Sequence, residues 1–215
     1  IPESSFDIWK KNIDIGLKYD VPHISTYVLT VEPKTALIKL IEKNKIEEVS
    51  DIDQKLQFEY VYDYLLSLGY VNYEFSSFAK PGYECKNNVT YWNRGKYIGF
   101  GPSAHSFDGV KRKWNISNNQ KYIEKIKLNS IAYESEILSE TDILNEIIMI
   151  GLRTSEGLDL DLIESKFSNL NLEKLIQQIQ LKIMDGVLVK TDNKLHPSRD
   201  YKFLTDGIAS DLFIT

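Results

Sequence analysis

His23-Ile24-Ser25-Thr26-Tyr27-Val28-Leu29-Thr30-Val31 follows Pro22 and is dense in β-branched and aromatic residues, the composition of a strand. Glu32-Pro33-Lys34-Thr35 ends it, because proline has no N–H to give to a ladder. Upstream, residues 4–19 predict an amphipathic helix: Ser4 or Ser5 can cap it, and Phe6, Ile8, Trp9, Ile13 and Leu17 recur at helical spacing. Downstream, residues 36–53 read as a short helix and a solvated connection. Residues 53–68 read as a stronger helix, with Leu56, Phe58, Tyr60, Val61, Tyr64 and Leu65 on its apolar side and Gly69 at its stop. Residues 71–78 alternate as the next strand. Helix and strand taking turns in this way signal βαβ units and an α/β fold.

After Pro81-Gly82 the pattern changes. Residues 91–106 and 111–116 read as strands joined by an Asp108-Gly109 turn, 118–128 as a short helix and 129–139 as a polar connection. Helices are expected over about 141–153, 159–167 and 171–184. A small hairpin around Asp192-Asn193 and a last helix to about 213 follow. Three helices, a hairpin and a helix predict a compact winged-helix-like unit. The domain boundary is placed near 130–139, giving domains at 1–133 and 134–215.

The 215 residues are enough to bury a substantial core. Apolar residues at 42%, charged residues at 27% and a mean hydropathy of -0.30 are ordinary for a soluble globular chain. No stretch approaches the roughly 18 apolar residues of a membrane span. The start, Ile1-Pro2-Glu3-Ser4-Ser5, shows no export signal and no methionine, so further sequence is expected upstream. The single cysteine, Cys85, excludes an internal disulfide framework and suits a reducing compartment, hence a cytoplasmic location. Residues 1–133 carry 18 basic and 16 acidic side chains, whereas residues 134–215 carry 8 and 15. A nucleic-acid module shows a basic footprint, so the acidic C-terminal part argues against that class.

Three stretches hold the candidate chemistry. Of 25 Phe, Tyr and Trp residues, 15 lie between Phe58 and Trp114, which builds either a sheet core or a flat ligand face; composition alone favours the core. Tyr97-Ile98-Gly99-Phe100-Gly101-Pro102-Ser103-Ala104-His105-Ser106 has two glycines that permit close backbone approach. It lacks the third glycine and following helix of a dinucleotide loop. His105 is either a proton carrier or metal ligand, or a hydrogen-bonded structural residue. The stretch from Cys85 to Asn93 offers no second cysteine or nearby histidine, so the bland reading of Cys85 as a loop or core residue is favoured. His23 and His196 read most simply as structural. Glu32 sits where barrels place ligands, but also where turns place carboxylates. No nucleophile, base and orienting group fall at readable spacing.

In order along the chain, these segments resemble the HemW-type haem chaperones and oxygen-independent coproporphyrinogen III oxidase-like proteins of the radical S-adenosylmethionine family. Ile1-Pro2-Glu3-Ser4-Ser5 before the Trp9 helix resembles the family's leucine–proline–glycine–glutamine–threonine entry. The segment 23–35 is similar to its strand ending in glutamate and proline. Tyr73-Glu74-Phe75-Ser76-Ser77-Phe78-Ala79-Lys80-Pro81-Gly82 resembles the next strand and its exit. Tyr91-Trp92, the run from Gly99 to Ser106, and the stretch Gly151-Leu152-Arg153 to Gly157-Leu158 fit in order and spacing.

The resemblance implies the second half of a partial (β/α) radical-SAM barrel with added antiparallel strands, followed by a small, mostly helical winged-helix-like domain. It implies haem as cargo, a haem-accepting protein as partner, and, in the full-length protein, a [4Fe–4S] cluster and S-adenosylmethionine. The cluster's three cysteines would lie upstream; one cysteine cannot hold it, and this chain should be inactive alone. The family's His-Asn-x-x-Tyr-Trp haem motif reads Asn87-Asn88-Val89-Thr90-Tyr91-Trp92 here. Asn88, Tyr91 and Trp92 carry over, whereas Asn87 replaces the histidine. His105 and Cys85 are the substitute ligands, and Gly99 and Gly101 complete the expected binding residues. The alternatives are an oxidase acting on coproporphyrinogen III in porphyrin metabolism and a winged-helix protein-interaction module.

Overall fold

Serine and threonine caps start the first helices where the apolar spacing begins. The computed structural model describes residues 1–2 and 4–214; Glu3, within the proposed entry motif, lies outside them. Ser5 caps α1 (Phe6–Leu17), its hydroxyl accepting from the Ile8 N–H at 3.3 Å. Thr35 caps α2 (Ala36–Glu42) and Ser50 caps α3 (Asp51–Ser67) in the same way. β1 (His23–Ser25) is shorter than the predicted 23–31. Its ladder is continued by the Thr26 N–H donating to the Ser76 carbonyl and the Lys80 N–H donating to the Pro22 carbonyl, both at 2.8 Å.

The expected strand over 71–78 is a hairpin, β2 (Val71–Glu74) and β3 (Ser77–Ala79). Asn72 explains the fold-back. Its buried amide donates to the carbonyls of Glu74 (2.6 Å) and Ser77 (3.2 Å), and the Glu74 carboxylate accepts from the Ser76 N–H at 3.1 Å. β3 thereby inserts between β1 and β2, with His23 opposite Ala79 and Asn72 opposite Phe78. β1 and β2 run the same way with α2 and α3 between them, so the βαβ reading has the direction right. The neighbouring pairs are nevertheless antiparallel, because the hairpin return fills the gap. Ile13, Val61, Leu65, Tyr70 and Phe78 form the core of this unit, which comprises residues 1–85 and 200–204.

The second unit comprises residues 86–199 and 205–215. The composition shift near 130–139 falls inside it. Residues 91–106 are not a strand: α4 (Lys86–Trp92) takes the first of them, and only β4 (His105–Phe107) is extended in a ladder. The helix is closed by Arg94 at φ 51°, with the Arg94 N–H donating to the Tyr91 carbonyl and the Gly95 N–H to the Thr90 carbonyl. β5 (Lys111–Asn115) and β6 (Tyr133–Ile137) complete an antiparallel meander, with α5 (Asn119–Lys127) between them. The predicted polar connection over 129–139 therefore contains a strand. It escaped notice because all five β6 side chains are exposed and leave no apolar alternation.

The remaining elements are α6 (Glu140–Arg153), β7 (Leu158–Asp159), α7 (Leu160–Lys166), α8 (Glu173–Met184), β8 (Leu188–Thr191), β9 (Lys194–Pro197) and α9 (Thr205–Asp211). A reciprocal cap starts α6: Ser139 accepts from the Asp142 N–H at 3.1 Å, and the Asp142 carboxylate accepts from the Ser139 N–H at 2.9 Å. The order β7-β9-β8 joins a short strand to the Asp192-Asn193 hairpin. Leu144, Ile148, Leu158, Leu175, Leu188 and Leu195 lead the core these elements enclose. α6 approaches β7 closely at Gly151, where a Cβ would lie 2.6 Å from the Leu158 Cα. Among the described residues no helix is long and apolar enough to cross a membrane.

Candidate functional site

The aromatic density is divided between the units rather than gathered on one face. In the first unit Phe58 stacks on Phe75 (centroids 5.2 Å apart) and approaches Phe203 at 5.5 Å, so these rings are core. The bland reading holds there. In the second unit Tyr91 stands edge-on to Tyr97 at 4.6 Å, and Tyr97 meets Phe107 at 6.2 Å. A two-residue bridge between Tyr97 and Phe107 fixes this arrangement, each N–H donating to the other's carbonyl at 2.9 Å.

These rings line one wall of a cavity of about 500 Å³. Its far wall is Leu138 and α6, which contributes Met149 and Ile150, together with Phe213. Asn145 holds that end of the chain in place: its amide donates to the Ile214 carbonyl and accepts from the Ile214 N–H, both at 2.9 Å. The volume and the mixture of apolar walls with a few polar groups are those of a small-molecule site.

The polar groups are charged. Glu146 of α6 is ion-paired with Arg94 (3.0 Å) and accepts from Arg112 of β5, and Arg112 also reaches Glu136 at 3.4 Å. The Arg94 side chain retains only 15% exposure, and its guanidinium lies 5.5 Å from the Phe107 ring. Burial, and then the nearby Arg112 charge, hold Arg94 below the usual guanidinium range. Two cations thus converge on one half-buried carboxylate at the edge of an aromatic cavity. The Asp142 carboxylate, also on the cavity rim, is held below the ordinary aspartate range by its hydrogen bonds from Ser139.

Of the residues expected at the site, Tyr91 lines the cavity. Asn88, half-buried, and Trp92 sit on α4 three residues before and one residue after it. Trp92 lies beneath the Arg153 guanidinium at 5.5 Å, and its buried indole N–H has no acceptor among the described residues. Gly99 and Gly101 belong to a loop built against β4 and β5. The Gly99 N–H donates to Ser106 Oγ at 3.0 Å, and Asn115 donates to the Gly101 carbonyl at 2.8 Å. A Cβ on Gly99 would fall 2.2 Å from the His105 carbonyl, so glycine is required by packing. His105 is exposed and faces Trp114 across the ladder, with ring centroids 6.3 Å apart. It does not line the cavity. Asn87 is exposed on the first turn of α4, one helical turn before Tyr91. Cys85 is partly buried, and the described residues contain no group of three or more His, Cys, Asp or Glu side chains placed to hold a metal ion.

Sequence reasoning missed Arg94, Arg112, Glu146 and Met149. Arg94 follows Tyr91-Trp92 closely and carried a signal by position; the meeting of Arg112 and Glu146 with it, and the place of Met149 in the cavity wall, carried none. A second cavity, of about 640 Å³, lies in the first unit against Trp9, Ile13, Val28, Leu29 and Gln57. His23 is there too, hydrogen-bonded to the Tyr73 hydroxyl at 2.9 Å, which is a structural role.

The chain is an α/β protein with antiparallel sheets, and its fold is that of a HemN-like protein. A solved structure of the radical SAM enzyme coproporphyrinogen III oxidase (HemN) from Escherichia coli superimposes with a TM-score of 0.75 over 99% of this chain and 52% of that one, at 15% identity. The family model of the HemN C-terminal domain matches residues 138–200. The haem chaperone HemW of Bacillus subtilis (strain 168) is 28% identical over 97% of this chain and 55% of its own length. That of Mycobacterium tuberculosis (strain CDC 1551 / Oshkosh) is 31% identical over 74% of this chain and 41% of its own. The chain belongs to this HemW and HemN-like family, and spans about half the length of the curated relatives it matches.

Proposed function

We propose that this chain is the haem-holding part of a HemW-type haem chaperone, which binds haem in the cavity of the second unit and delivers it to a haem-requiring protein. The observation that carries the reading is the position of Tyr91, a residue of the family's haem motif, in the wall of a 500 Å³ aromatic cavity. The same cavity contains a phenol, Tyr91, and a thioether, Met149. Both groups serve as iron ligands in haem proteins, which suits a motif whose histidine is Asn87. The oxidase reading draws on a likeness of fold and on the HemN C-terminal family model over residues 138–200.

In this reading residues 1–133 are the C-terminal part of a radical-SAM partial barrel and residues 134–215 a winged-helix-like domain. The order α6-β7-α7-α8-β8-β9, with β7 closing the hairpin into a sheet, supports the second assignment. The net charge of that part makes a protein contact its better use than DNA. A [4Fe–4S] cluster and S-adenosylmethionine are assigned to sequence beyond this chain, since Cys85 alone cannot supply three thiolates. The single free cysteine fits work in the cytoplasm.

The test is an absorbance titration of the chain with haemin beside Tyr91→Ala. A saturable Soret change is expected, with affinity reduced about fivefold in the variant by loss of ring contact. Saturable binding of unchanged affinity in Tyr91→Ala would move haem away from this cavity, and no saturable binding at all would refute the reading for this chain.

A further inference from the structure

The charged cluster on the cavity edge leaves buried guanidinium donors unmet, which the aromatic wall does not explain. Arg94 and Arg112 both point their guanidinium groups at Glu146, whose side chain is 23% exposed, while the second carboxylate near Arg112, Glu136, is 47% exposed and 3.4 Å away. Asp142 also lines the cavity, and one of its carboxylate oxygens accepts from the Ser139 N–H at 2.9 Å and from its hydroxyl at 2.7 Å in the cap of α6. The cluster therefore sets two cations among three carboxylates, yet the buried Nε and Nη2 of Arg94 make no hydrogen bond among the described residues. Arg94 cannot swing out to water without leaving the Phe107 ring and its salt bridge. Two parallel-forked donors beside an apolar slot fit a planar, carboxylate-bearing molecule, because a guanidinium pairs with a carboxylate through two hydrogen bonds.

We propose that Arg94 and Arg112 form the anion-anchoring end of the cavity and bind one propionate of the haem, with the ring lying against Tyr91, Tyr97 and Phe107. This rests on the reading of the cavity as the haem site and adds the orientation of the ligand within it. Glu146 holds the two guanidinium groups together before the ligand arrives and shares them with the propionate afterwards. Because Glu146 belongs to α6, filling the anion end changes the contact between the C-terminal domain's first helix and the loop that follows Tyr91-Trp92.

The test compares haemin with haemin dimethyl ester, which keeps the ring and the iron but loses both carboxylates. On the unmodified chain the ester is expected to bind about fivefold more weakly than haemin, and more strongly screened binding is expected for haemin as salt rises. In Arg112→Met the difference between the two ligands should vanish, and in Arg94→Met it should shrink. Equal affinities for haemin and ester on the unmodified chain would overturn the proposal without any variant. So would a preference for haemin that survives in Arg112→Met, provided the circular dichroism melt shows that variant folded. Tyr91→Ala separates the two levels. If it weakens both ligands while the arginine variants leave haemin unaffected, the cavity is the haem site and the anchoring is wrong. If Tyr91→Ala affects neither ligand, the cavity itself is wrong.

Discussion

Asn87→His is expected to raise the affinity for haemin by about tenfold or more, equivalent to about 1.4 kcal/mol, and to change the iron spectrum as an imidazole nitrogen becomes an axial ligand. The geometry supports the direction. Asn87 is exposed on the first turn of α4, and Tyr91 lies four residues on, so the two share a side of the helix. The substitution removes no buried contact and enters no core, so the fold should be unaffected. An amide at this position has no lone pair on nitrogen to offer the iron. The imidazole supplies one without moving Tyr91. The measurement is a haemin titration followed by electron paramagnetic resonance of the loaded variant. An unchanged affinity and an unchanged iron signal would show that α4 does not face the metal.

Phe78→Ala should cost about 3–5 kcal/mol, the range for removing a fully buried aromatic ring from a core. Phe78 has 0% exposure and lies on β3, the central strand of its sheet, with Ile24 opposite on one side and Asn72 on the other. Its ring meets Tyr62 of α3 edge-on at 6.0 Å, so its loss opens a void between sheet and helix. The Asn72 amide, which fastens the 75–76 turn, is the partner across the ladder. Loosening β3 therefore loosens the turn. Chemical denaturation monitored by circular dichroism measures the loss; a change below about 1 kcal/mol would mean that this sheet contributes little to stability, contrary to its burial.

What could be read in the sequence was whatever is local. Ser5 announces a helix by capping, and Asp108-Gly109 and Asp192-Asn193 announce hairpins; the structure has elements at each of these places. Misreadings came where a tertiary contact overrides a local preference. Residues 71–78 have strand composition throughout, and only the buried Asn72 amide reveals that the chain turns back. Tyr91-Trp92 looks like strand by propensity, yet α4 forms there and stops at Arg94 in a left-handed conformation. β6 shows no apolar period because it lies exposed beside β5.

The candidate site divides along the same line. The Tyr91-Trp92 motif was legible as a family pattern, and Tyr91 does line the cavity. Its counter-wall was not legible. Arg94, Arg112 and Glu146 come from a loop, a strand and a helix, and nothing in their spacing announces that they meet. His105 is an instructive contrast, since its place after the glycines made it a ligand candidate. Its strand instead sets the ring against Trp114, and the carbonyl beside it closes on Gly99.

Amide hydrogen exchange of the chain with and without haemin tests most directly whether the cavity of the second unit is where haem is held. Binding there predicts slowed exchange confined to three stretches: α4 and the turn after it through Tyr97, β4 to β5 around Phe107 and Arg112, and α6 around Glu146 to Ile150. Slowed exchange in α1, the segment following β1, and α3, with the three predicted stretches unchanged, would place haem in the first unit's cavity and contradict the account.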